Sequence, residues 1–154
     1  MKAHPATEHD MAGIMALVTR TFAHEQGIPE EMIPIPAEKE PHWWCIRQDD
    51  NITAAVALYR EGKEWHMGRL AVAPGLRGGH IATQLLETAI PAVFAMGIDT
   101  IYTDSRDTTV HILQKFGGEV AGETGVFFNG RITPVVLKRE NLPARFHPAA
   151  HTDA

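Results

Sequence analysis

Apolar residues along the chain switch between a helical period and a strand period, and the switches divide it into elements. Met11, Ile14, Met15, Val18 and Phe22 mark one buried helix face ending near His24. Thr7 and Asp10 stand before it as an N-cap and a first-turn acid, and Met1 to Pro5 leaves room only for a short edge strand. Pro34, Pro36 and Pro41 keep residues 33–41 irregular, a loop within one domain rather than a linker. Three strands follow: His42 to Gln48, Ile52 to Tyr59 and Glu64 to Val72. Asp49-Asp50-Asn51 supplies hairpin chemistry between the first two, and Glu61-Gly62-Lys63 turns the chain into the third.

Pro74-Gly75 then breaks the strand pattern. Ile81, Leu85, Ala89 and Val93, with Leu86 and Ile90 beside them, form the apolar face of a helix expected from Arg77 to about Met96. Pro91 kinks or divides it, and Gly97 caps it. Asp99 to Thr103 reads as a strand and Thr108 to Phe116 as a short helix stopped by Gly117-Gly118. Glu119 to Phe128 and Ile132 to Leu137 read as a hairpin across Asn129-Gly130. Only two crossovers are helical, so the fold class is α/β with a mixed sheet in a sandwich. Residues 1–139 make one domain, and the proline-bearing segment 140–154 reads as a mobile tail.

Composition narrows the partners. A chain of 154 residues, 44% hydrophobic and 21% charged, suits one globular domain. Its formal net charge of -5 argues against nucleic acid, whose phosphates call for basic surfaces. The single cysteine, Cys45, excludes an internal disulfide and lies in an apolar run that suits a buried hydrophobe better than a nucleophile. The start has no apolar signal core and no stretch approaches a membrane span, so a cytoplasmic location is expected. His24, His42, His66, His80 and His111 are scattered, with no H-x3-H or Cys/His cluster, so no metal is expected.

Between the third strand and the long helix stands Arg77-Gly78-Gly79-His80. Unpaired N–H groups and the positive end of the dipole make a helix start an anion site. Glycine permits close approach, and arginine can hold a phosphate through two bonds. VAPGLRGGHIATQLL resembles motif A of the GNAT (Gcn5-related) acyltransferases, with His80 where the family usually has glycine. A narrower likeness to the ElaA-like branch comes from FAHEQGIPEE, the His42-Trp43 strand start, Gly68-Arg69-Leu70-Ala71-Val72 and the closing Phe128-Asn129-Gly130-Arg131-Ile132-Thr133-Pro134. The resemblance implies a three-layer α/β/α sandwich whose sheet splays between Glu64–Val72 and Asp99–Asp104, with acetyl-CoA or another acyl-CoA in the V. It also implies a small amine as acceptor and a tendency to dimerise. The main chain of Leu70, Ala71 and Val72 would hold the pantetheine arm, and Arg77, Gly78, Gly79, His80, Ile81, Ala82 and Thr83 the diphosphate.

The resemblance also directs the search for catalytic groups. It implies a β-bulge in the Glu64–Val72 strand that leaves main-chain groups, an N–H near Val72 among them, free for the ligand; disregarding that bulge, Glu64, His66, Gly68, Leu70 and Val72 share one strand face. His66 lies six residues before Val72, where several GNAT enzymes place a general base, and an exposed strand histidine is the plainer reading. Glu64 and Glu25 are weaker candidates, and Glu25, on a loop expected to cap the acceptor side, suits substrate binding better. Leu113 stands where the family's acid, a tyrosine, is usual, which leaves Ser105, Arg106 or His111 as substitutes. Trp43 and Trp44 start a strand with one ring buried and one exposed, or else His42 and Trp43 line the acceptor pocket. Two readings follow: an N-acetyltransferase working by direct transfer in a ternary complex, or a non-catalytic acyl-CoA-binding module.

Overall fold

The computed structural model describes residues 2–78 and 80–147. Three strands come first in the sheet: β1 (Ala3–Pro5), β2 (His42–Gln48) and β3 (Asn51–Glu61). They are followed by β4 (Glu64–Val72), β5 (Thr100–Ser105), β6 (Glu119–Val120), β7 (Gly125–Phe127) and β8 (Gly130–Lys138). Spatial order is β1-β2-β3-β4-β5-β8-β6, with β7 also paired to β8. All pairings are antiparallel except β4 with β5, so the expected mixed sheet is present.

Alternation along β2 and β3 sorts side chains into two cores. In β2 and β3, Trp44 and Ile46 face one side with Ala54, Val56 and Leu58, and meet α2 (Ile81–Ala95) and α3 (Asp107–Gln114). Trp43 and Cys45, with Ala55 and Ala57, face the other side and meet α1 (Met11–Thr19). The three layers of an α/β/α sandwich result. Both tryptophans are thereby buried, at 9% and 4% exposure, against the expectation of one exposed ring. Among the described residues, no helix is long and apolar enough to cross a membrane.

Several boundaries differ from expectation for identifiable reasons. The helix of α1 widens into a π-helical turn, Arg20–Glu25, before the 3-10 turns Glu30–Met32 and Ala37–Lys39. The helix expected from Arg77 begins only at Ile81: Pro74–Leu76 is a 3-10 turn, Arg77 is extended, and His80 is left-handed at φ 68°. That conformation, rather than a right-handed helical one, is what the glycine-for-histidine exchange at this position must accommodate. Helix α2 runs through Pro91 without dividing. The closing hairpin turns one residue early, at Phe128-Asn129, because Phe127 pairs with Gly130. Its first strand is interrupted between Val120 and Gly125, where Gly122 lies over the Pro134 ring.

Beyond Lys138 the chain stays on the body instead of leaving as a tail. Leu142 is 5% exposed within the larger core, and Phe146 packs on Phe116 at 4.4 Å between ring centroids. Residues 148–154, the rest of the expected tail, lie outside the described residues, as does Gly79.

At the start of α1 the sequence-distant His4, Asp10 and Cys45 bring their polar atoms within 4.8 Å of one another. Scattered spacing had pointed to no such Cys/His grouping. Asp10 is already supplied with donors: Thr7 N–H at 2.9 Å, Arg47 Nε and Nη2 at 3.0 and 2.8 Å, and His4 Nε2 at 3.2 Å. Burial, with the Asp10 charge nearby, pushes the Cys45 thiol up to about 12. The group is a buried hydrogen-bond network that ties β1 and β2 to the helix start.

Candidate functional site

The site begins with an extra residue in β4. Ala57 of β3 pairs with Gly68 and Ala55 with Ala71, so Val56 faces two residues, Arg69 and Leu70. Arg69 takes up the excess at φ 58°. From there the face alternation inverts. Met67, Leu70 and Val72 point to the α2 side, whereas Ala71 points to the α1 side. His66 therefore does not share a side-chain face with Leu70 and Val72, as the unbulged count had them. The Arg69 guanidinium crosses to the preceding loop, donating to the carbonyls of Ile33 at 2.9 Å and Met32 at 3.0 Å, and lies over the Tyr59 ring.

Beyond the bulge the sheet opens. β4 and β5 pair only through Trp65 with Ile101 and His66 with Tyr102, after which they diverge. Two clefts occupy the gap. One runs along Leu70, Ala71 and Val72 to Arg77, Gly78, His80, Ile81, Ala82 and Thr83, with Thr21, Glu25 and Lys115 across from them. The other lies beside His66 and Gly68 and is walled by Tyr59, Thr103, Asp104, Ser105 and Phe127. Gln26, Leu70, Arg106 and Thr109 line both.

The structure thus gathers the residues proposed for the cofactor along one cleft, with Gly79 outside the described residues. Glu25, expected to cap the acceptor side, lines that same cleft and not the one beside His66. Its Oε1 is 2.7 Å from Arg77 Nη2, while Arg77 Nε–H donates to the Val72 carbonyl at 3.0 Å. His66 lies in the second cleft between the rings of Tyr59 and Tyr102, at 6.0 and 5.5 Å. Its Nε2 is 3.1 Å from Glu64 Oε1, and that bond to a carboxylate assigns the ring proton to Nε2. Ser105 is buried in the same cleft with its hydroxyl 2.8 Å from that of Thr103. His42 and Trp43 line neither cleft: His42 lies beside Trp65, and Trp43 is core beneath α1. His111 is exposed, and Leu113 is buried at the tyrosine position.

Thr21, Gln26 and Thr109 line the clefts without being singled out by the sequence, and Arg106, a candidate there only as a substitute acid, stands where the clefts meet. Thr21 sits in the π turn, its buried hydroxyl without a partner among the described residues. Wide helical turns commonly mark functional positions, but nothing in RTFAHE announces one. Gln26, Arg106 and Thr109 come from the end of that turn and the start of α3. Arg106 Nη2–H donates to Gln26 Oε1, bridging elements 80 residues apart.

Comparison with known proteins agrees with the fold. The model of the acetyltransferase (GNAT) family matches residues 11–118. Escherichia coli ElaA superposes with a TM-score of 0.75 at 15% identity, over 90% of this chain and 100% of that one. An acyl-CoA N-acyltransferase from Pseudomonas aeruginosa gives 0.73 at 15% identity, over 89% and 99%. The aminoglycoside acetyltransferase AAC(6')-Ib, solved with coenzyme A and kanamycin, gives 0.65 at 17% identity, over 91% and 95%. Comparison with curated proteins gives no match.

Proposed function

The chain belongs to the acetyltransferase (GNAT) family, and on that premise we propose that it transfers an acyl group, acetyl foremost, from coenzyme A to a small amine in a ternary complex. The observation that carries this reading is the continuity of the two clefts through Gln26, Leu70, Arg106 and Thr109 beside a bulged, splayed strand pair. One cleft is long and ends at a helix start; the other holds an imidazole.

Acyl-CoA supplies an activated thioester when bound. Arg77 and the N–H groups opening α2 would receive its diphosphate, with Lys115 across the same cleft adding positive charge. Main-chain groups at the β4 bulge and along Leu70–Val72 would position the pantetheine and polarise the carbonyl. The arm gains orientation, so attack is within one complex rather than by a bimolecular encounter in water.

His66 is the proposed base. With its proton on Nε2 and held by Glu64, its other ring nitrogen carries the lone pair that removes a proton from the attacking amine. Ser105 is the proposed donor near the departing sulfur, since Leu113 offers no hydroxyl. A direct thiol-release assay over amino acids, peptides and polyamines tests the reading. Release with any of them supports it; coenzyme A binding without release across the panel favours the non-catalytic alternative, for which the buried Leu113 is the specific argument. His66→Gln is expected to lower kcat about 100-fold with coenzyme A affinity unchanged. An unchanged kcat at every pH would remove His66 as the base.

A further inference from the structure

Arg106 caps the N-terminal end of α3 just after β5 ends, at the place where the clefts meet. Its guanidinium is held on two sides: one nitrogen donates to Gln26 Oε1, the other to the Phe127 carbonyl at 3.4 Å. Gly130 completes the seat, because a Cβ there would collide with the guanidinium. A side chain at position 130 would push this guanidinium aside, and the two hydrogen bonds orient it before any ligand arrives.

Both of its protein partners are neutral. No carboxylate lies within ion-pair distance of Arg106 among the described residues, nor of Arg69, whose guanidinium is turned to the Ile33 and Met32 carbonyls and the Tyr59 ring, whereas Arg47, Arg60, Arg77, Arg131 and Arg139 each have one. Burial alone lowers its pKa. A guanidinium carries five N–H donors in a fork suited to a carboxylate, and two bonds leave the fork unfilled. Positive charge withdrawn from water and left without an anion is unfavourable, so a ligand that brings one gains affinity here.

The cofactor's phosphates have their own cations, Arg77 and Lys115, in the cleft that ends at α2. On the other side of Arg106 the acceptor cleft also presents Asp104, exposed and outside any described ion pair, alongside His66. An anion-seeking group and a cation-seeking group in one small cleft complement a zwitterion. We propose that the acceptor is an amine that also carries a carboxylate, in the manner of an amino acid, and that Arg106 binds that carboxylate. The inference rests on the acyl-transfer reading for the amine's fate, but its binding half stands separately.

Thiol release is measured for common amino acids against their amides, with wild type, Arg106→Gln and Arg106→Lys, and calorimetric titration of the same pairs is run with coenzyme A present. Wild type is expected to favour the acid about 10-fold or more in kcat/KM, mainly through KM. Arg106→Gln should erase the preference while coenzyme A affinity and thermal stability hold; Arg106→Lys should retain part of it. Equal use of acid and amide by wild type overturns the proposal. So does an Arg106→Gln variant that loses both substrates equally, which would make the residue a tether, or one that loses coenzyme A binding with the acid preference intact. If no amine releases thiol, the transfer reading fails, and titration still decides Arg106: acid bound by wild type but not by Arg106→Gln supports its role, and no such difference ends it.

Discussion

The Thr7 backbone N–H holds the Asp10 carboxyl well below the usual carboxylate range, outweighing the burial that would raise it, with Arg47 and His4 adding further donors. A depressed folded pKa stabilises the protein above the unfolded value and ceases to do so as pH falls through the folded one. Asp10→Asn is therefore expected to cost about 2 kcal/mol at neutral pH, with the gap from wild type closing in acid; urea melts across pH measure it. Equal stability at pH 7 would show that the network contributes nothing. His80 presents the opposite case, a side chain held at φ 68°. His80→Gly should raise stability by about 0.5 kcal/mol, seen as a higher denaturation midpoint at unchanged slope. On the proposed reading Glu25, 2.7 Å from Arg77, would compete with an incoming diphosphate for it. Glu25→Gln should then tighten coenzyme A binding severalfold, and Arg77→Ala should weaken it by about 1.5–3 kcal/mol, both read by calorimetry. Weaker binding in Glu25→Gln would mean that the pair positions Arg77 instead of restraining it.

Strands β2, β4 and β8 and the apolar face of α2 were legible because period and punctuation agree there: β4 spans the Glu64–Val72 foreseen for it. The bulge within β4 was implied only by the family resemblance, and the residue that takes it up was not legible. Left-handed arginine has no signature in GRLAV, and a single inserted residue inverts every later side chain, so the face shared by His66 and Leu70 dissolved. The α2 start moved for a similar reason, since Arg77 and His80 look like first-turn residues until their dihedrals are known. The hairpin register moved because Gly130 pairs with Phe127 as the first residue of β8 instead of sitting in the turn. Arg69→Gly separates the two jobs of that residue. Glycine adopts the bulge without strain, so the melting temperature should hold, while loss of the bonds to Met32 and Ile33 should speed proteolysis within residues 29–41. A protected loop in that variant would refute the clamp.

Across the molecule, the cleft proposed for the cofactor is lined largely by one contiguous motif, but the cleft proposed for the acceptor is assembled from the π turn, the end of β5 and the β7–β8 hairpin. No local pattern predicts that meeting, because it exists only once the sheet has splayed. The segment after β8 shows the same dependence on assembly. Leu142 and Phe146 close the core over Phe116, and Gly117, at φ 85°, leaves room for the Asn141 carbonyl. Leu142→Ala is expected to cost about 2–4 kcal/mol in chemical denaturation, and Gly117→Ala to be at least as harmful; wild-type stability in either would show that the segment merely rests on the body. The position of β8 has a temporal consequence. It lies between β5 and β6 in the sheet although it is made after both. During synthesis β5 therefore emerges from the ribosome with one edge unsealed, and remains so until the later strand slides in beside it. That interval, not the finished fold, is when one nascent chain is most exposed to trading strands with another.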